Sequence, residues 1–199
     1  RASVPMWRLY VNVDIAMSLA LGEEVMIGGW STGCTVAAVG LAAGAQARAM
    51  IHMSPNLGWR HWAVQTLLDL PGSRQWSHYV AGSSRSFEPI SNAHAAYWTV
   101  EYPTAAVHVM ADAVRAVRGA ALSQISTPAL FCFNEDDQVV HPDETRKAMK
   151  RWGAKADQIM IEQTADDDKM GHVMAGDVFS PGQTAPLARQ IIAWVQGLP

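Results

Sequence analysis

Apolar positions along this chain change period several times, and each change marks an element. From Pro5 to Leu21, Trp7, Val11, Ile15 and Leu19 recur every four residues, with Gly22 just beyond. That spacing predicts a helix closed by glycine, and it outweighs a strand-like alternation within Val11 to Leu21. The apolar run Val25-Met26-Ile27-Gly28 predicts a strand, and the uncharged small-residue stretch from Cys34 to Ala47 predicts a buried helix. Ile51-His52-Met53-Ser54-Pro55-Asn56 reads as the next strand, Thr127 to Phe133 as a buried one, and Gln158 to Glu162 as another. Thr104 to Arg118 places Val107, Met110, Val114 and Val117 on one helical face. Strands alternating with helices predict an α/β fold, a mostly parallel sheet with helices on both faces.

Between the first strand and its helix stands Gly29-Trp30-Ser31-Thr32-Gly33. A Gly-x-Ser-x-Gly turn lifts the serine hydroxyl out of the sheet and brings a helix N-terminus beneath it. Side chains two positions either side would collide with the helix and the neighbouring strand, which predicts a need for glycine at both. Serine attacks only when a base takes its proton. Histidine suits that task at neutral pH, and a carboxylate fixes its tautomer.

Two later segments supply such groups. The strand Thr127 to Phe133 empties into Asn134-Glu135-Asp136-Asp137-Gln138-Val139-Val140, and Met170-Gly171-His172-Val173 follows the last strand. The run Asp166-Asp167-Asp168 reads as a solvated loop, and Asp143 as the N-cap of a helix opening at His141-Pro142.

The order serine, acid, histidine, each just after a strand, resembles the α/β-hydrolases of carboxylesterase, lipase and lysophospholipase-like type, over nearly the whole chain. The resemblance implies a serine hydrolase acting on a small-molecule carboxylic ester. Ser31 would be the nucleophile and His172 the base. The family pattern puts the acid two positions before a Val-Val pair, which favours Asp137 over the adjacent Asp136. The backbone N–H of Thr32 would be one oxyanion donor. Trp30 would shape the substrate pocket floor or pack against the next strand.

The resemblance further implies a helical cap at residues 57–124, with the core formed by 1–56 and 125–199. That insertion holds Trp59, Trp62, Trp76, Tyr79, Phe87, Tyr97, Trp98 and Tyr102, half of all aromatic residues. They line a pocket or form the cap's own core. The family places about four strands before the elbow, whereas the chain begins at Arg1 and has only some 28 residues there. An N-terminally incomplete hydrolase is therefore expected. Its elbow strand would lie at an open edge, completed by a missing segment or by a homodimer. The second oxyanion donor normally comes from an early His-Gly pair, and no His-Gly dipeptide occurs in the chain. Two alternatives stay open. One is hydrolysis of a thioester, lactone, amide or carbon–carbon bond by the same triad, and the other is a non-catalytic hydrolase-like binding protein.

Composition narrows the field. A chain of 199 residues can bury one substantial core. The net charge of −3 supplies no basic stripe for nucleic acid. Cys34 and Cys132 lack zinc-site spacing and read as buried thiols. No phosphate-cradling glycine loop or His-Glu-x-x-His motif occurs, and neither metal nor organic cofactor is expected. Residues 25–47 are uncharged but contain five glycines and the elbow, so they read as strand plus helix and not as a membrane span. No signal peptide is recognisable, and a cytoplasmic location is expected.

Overall fold

The computed structural model describes residues 3–198. Helix α1 (Val4–Leu21) is capped by Ser3, whose hydroxyl accepts from the Met6 N–H, and Pro5 sits in its first turn. Strand β1 (Met26–Trp30), helix α2 (Thr32–Ala42) and strand β2 (Ala49–Met53) follow. A long excursion then comprises α3 (Trp62–Asp69), α4 (Ser73–Ala81), β3 (Ser84–Ser86), α5 (Asn92–Tyr97), β4 (Glu101–Pro103) and α6 (Ala105–Gly119). After a 3-10 turn at Leu122–Gln124 come β5 (Ala129–Phe133), α7 (Pro142–Arg151), β6 (Ala156–Met160) and α8 (Pro181–Gln196).

The main sheet is parallel with order β1-β2-β5-β6. Strand β5 is apolar without alternation because each of its faces meets its own helical layer. Along β5, Ala129, Phe131 and Phe133 join a core with Cys34, Ala37, Ala38 and Leu41 of α2, Val117 of α6 and Trp152. Leu130 and Cys132 point the other way, toward Ile161, Met174 and Leu187 of α8. Beneath the first layer lies His52, fully buried and stacked on Phe131 at 4.3 Å. Burial pulls its pKa down to about 3, so it is a neutral core residue. Burial also pushes the Cys34 thiol up, and that of Cys132 to about 12, which leaves both protonated at neutral pH.

Strand β1, which leads into Ser31, lies at one edge of the sheet, with Met26 half exposed. Helix α1 covers α2 through Trp7, Val11 and Ile15, whereas Leu19 of the predicted face is exposed. The two helices approach closely because residue 40 is glycine. A Cβ there would stand 2.9 Å from the Val11 side chain.

Several boundaries differ from expectation. Strand β2 stops at Met53 because Ser54 turns into the left-handed region at φ 43°. Strand β6 starts and ends two residues earlier than the apolar run indicates. His141, not Asp143, caps α7; Asp143 lies in the first turn and pairs with Arg146. Within residues 57–124, α6 and the 3-10 turn pack into the main core through Val117 and Leu122. The segment 57–103 carries the small antiparallel β3–β4 sheet and strongly exposed aromatics such as Trp62 and Tyr79.

Candidate active site

Parallel strands release their loops at one rim of the sheet, and the elbow, the acid turn and the histidine loop all leave from that rim. Ser31 joins β1 to α2 with φ 49° and ψ −116°, a conformation that a non-glycine residue holds only where the surroundings enforce it. Two backbone bonds do so. The Ser31 N–H donates to Met53 O at 2.9 Å, and Ser31 O accepts from the Asn56 N–H at 3.1 Å.

The two elbow glycines are not equivalent. A Cβ on Gly29 would lie 2.8 Å from Cys34 N and 2.9 Å from its Cα, whereas one on Gly33 would meet nothing within 4 Å. The expectation that both are sterically required therefore fails at Gly33, whose Cβ position opens away from the turn. Gly29→Ala is expected to destabilise by about 1–3 kcal/mol, because backbone must move. Gly33→Ala is expected to be neutral or to stabilise by up to about 1 kcal/mol, since alanine favours the helix. Urea denaturation of both variants measures the contrast.

Ser31, His172 and Asp137 come together. His172 Nε2 is 3.1 Å from Ser31 Oγ, and His172 Nδ1 is 2.8 Å from Asp137 Oδ2. Asp137 is 1 % exposed, and its other oxygen accepts from the Val139 and Val140 N–H groups at 2.8 and 2.9 Å. Those two bonds explain in physical terms why a carboxylate two positions before Val139 is fixed here. Its neighbours point elsewhere: Asp136 is exposed and Glu135 pairs with Arg146.

Thr32 occupies the first helical position, where no intrahelical acceptor exists for its N–H. The helix dipole adds positive potential at that spot. The Thr32 hydroxyl accepts from Asn56 Nδ2 at 3.3 Å. Trp30 packs, partly buried, against the core layer of Leu130 and Leu187.

A cavity of about 620 Å³ opens beside Thr32, lined by Trp7, Tyr97, Trp98, Tyr102, Val109 and Met110 among others. A second groove of about 340 Å³ shares Trp7 and Thr32 and runs along Tyr10, Val11 and Asp14 of α1. Trp98 and His94 also stack edge-on against Phe179, at 5.0 and 4.7 Å, tying α5 to the segment after His172. No group of three or more His, Cys, Asp or Glu side chains among the described residues is placed to hold a metal ion. No helix there is long and apolar enough to cross a membrane.

The run Asp166-Asp167-Asp168 is not a solvated loop. Only Asp166 is free in that sense. Asp167 is buried, and its carboxylate accepts from the Thr164 N–H and hydroxyl and from Gln183 Nε2, at 2.7, 3.0 and 3.0 Å. Asp168 Oδ2 accepts from the N–H groups of His172 and Val173, and its Oδ1 from that of Met170. The one local hint was the short reach from Asp168 to the amide two residues on, the geometry of an Asx turn.

No protein-family model and no curated protein matches the sequence. Solved structures do. A structure from work on the metagenome-derived lipolytic enzymes LipS and LipT aligns with 98% of this chain and 74% of its own, at 11% identity and a TM-score of 0.74. The monoacylglycerol lipase of Paleococcus ferrophilus aligns with 98% of this chain and 75% of its own, at 14% identity and a TM-score of 0.67. A soluble variant of the Saccharomyces cerevisiae monoglyceride lipase aligns with 94% of this chain and 66% of its own, at 9% identity and a TM-score of 0.65. The chain thus spans two thirds to three quarters of the length of these relatives. With a parallel sheet between two helical layers, and aligned with these structures over most of its length, the chain has the α/β-hydrolase fold.

Proposed function

We propose that this chain is a serine hydrolase that cleaves carboxylic esters through an acyl-enzyme. The observation that carries the reading is the unbroken chain of hydrogen bonds from Ser31 through His172 to Asp137, with the serine held on a strained elbow. Ser31 Oγ attacks the ester carbonyl while His172 Nε2 takes its proton. Asp137 stabilises the imidazolium, and the Thr32 N–H faces the developing oxyanion. His172 then returns the proton to the departing alcohol. Water repeats the cycle on the acyl-serine: His172 takes a proton from the water, the hydroxide oxygen bonds to the acyl carbon, and the proton returns to Ser31 as the acid leaves.

The residues around Thr32 support an apolar acyl group. The larger cavity is walled by aromatic and aliphatic side chains and carries no charged residue in its lining. Residues 57–103 serve as the cap over it, with α6 shared between cap and core. The lipases and esterases among the structural neighbours fit the same reading.

A series of p-nitrophenyl esters from acetate to decanoate tests the proposal. Wild type is expected to hydrolyse several of them, and Ala106→Trp, which fills the larger cavity, to lower kcat/KM for octanoate at least about tenfold relative to acetate. A folded wild type inert toward the whole series would rule the ester reading out.

A further inference from the structure

The imidazole of His172 bonds to Ser31 and Asp137, but its backbone is held separately and from both sides. Asp168 Oδ2 accepts from the N–H groups of His172 at 2.9 Å and Val173 at 2.7 Å, while Oδ1 accepts from Met170 N–H at 3.1 Å. On the opposite side, the Ser54 hydroxyl donates to the His172 carbonyl at 2.6 Å. Ser54 is itself fully buried at the end of β2, and its N–H donates to Cys132 O at 2.9 Å. Asp168 is anchored in turn, since its N–H donates to the Ser180 hydroxyl at 3.1 Å, and that hydroxyl donates to Val173 O at 2.5 Å. The loop also needs Gly171 at φ 67°, where a Cβ would lie 2.9 Å from Asn134 Nδ2.

We propose that Asp168 and Ser54 are positioning residues for catalysis, clamping the His172 backbone so that its ring bridges Ser31 and Asp137. The inference rests on the ester-hydrolase reading. Hydrogen bonds from amides to a carboxylate are roughly twice as strong as neutral ones, and here three of them converge on one side chain. A loop lacking them would let the ring drift, and a misplacement of about 1 Å can cost on the order of 100-fold in rate without touching substrate binding.

The test is steady-state hydrolysis of p-nitrophenyl butyrate by Asp168→Asn and Ser54→Ala, with Asp166→Asn as control and the melting temperature of each variant recorded. Asparagine is isosteric, but its amide group sets a donor against a donor. Both variants are expected to lose about 10- to 100-fold in kcat with KM within about twofold, and the Asp166 variant to match wild type. In a His172→Ala background, Asp168→Asn is expected to cost nothing more in kcat, because its effect passes through the ring. A purely structural role would lower stability and activity in both backgrounds alike. Folded Asp168→Asn and Ser54→Ala enzymes with wild-type kcat overturn the inference while leaving the ester reading intact. No turnover by wild type itself overturns the ester reading, and this inference with it. Should Asp168→Asn fail to fold, Ser54→Ala alone decides.

Discussion

Ser31→Ala is expected to lower kcat/KM on p-nitrophenyl butyrate by about 10⁴-fold or more, with the protein still folded. The hydroxyl is the atom that bonds to the acyl carbon, so its removal leaves only oxyanion stabilisation and binding to assist water. Stability should hold because the strain at residue 31 lies in the backbone, at φ 49°, which alanine must share. The turn is enforced by the bonds from Ser31 N–H to Met53 O and from Asn56 N–H to Ser31 O, and neither uses the side chain. Stopped assays on purified variant and parent, with circular dichroism of both, read the two halves of this expectation.

Asp137→Asn is expected to lower kcat by about 10⁴-fold, while Asp136→Asn stays within about twofold of the parent. The two oxygens of Asp137 have different partners. One accepts from the Val139 and Val140 N–H groups, and the other faces His172 Nδ1. An asparagine that keeps its oxygen on the two amides must turn its own NH₂ toward Nδ1. The ring then becomes an acceptor at Nδ1 and a donor at Nε2, so it can no longer take the Ser31 proton. Asp136 is exposed, and its loss touches none of these bonds. Steady-state kinetics of the two variants separate carboxylates that differ by one position in the chain.

Much of the fold was legible because periodicity survives in elements with one or two dry faces. The small-residue run of α2 and the unbroken apolar run of β5 could be read directly, since each meets a packed layer. The order of the elbow, the acid turn and the histidine loop was equally legible, as each follows a strand. Choices of a single residue were not. Asp136 and Asp137 are separated in the sequence only through the family's Val-Val spacing, and burial and the two amides beyond Asp137 supply the physical reason. His141 and Asp143 compete for the same cap, and a shift of two residues decides it.

The loop carboxylates were illegible for a different reason. Asp167 and Asp168 bond partly to near neighbours at Thr164 and the turn at His172, and partly to Gln183 and Ser180, which only the fold brings to them. A run of three aspartates on paper therefore looks solvated while two of its members hold a loop together. The packing of α6 was hidden in a similar way. The apolar face of α6 has the same period whether it covers a lid or the main core; Val114 and Val117 are both buried, and Val117 joins the main core. Gly33 shows the reverse error, a glycine read as a steric necessity where space is open.

The central claim is that one hydroxyl, on the turn between β1 and α2, becomes covalently bonded to the acyl group during turnover. Incubation with a fluorophosphonate followed by intact mass and peptide mapping tests it most directly. The account predicts one adduct per chain, on the peptide containing Ser31, and none after Ser31→Ala. A folded protein that takes up no label, or that carries it on any other residue, would contradict it.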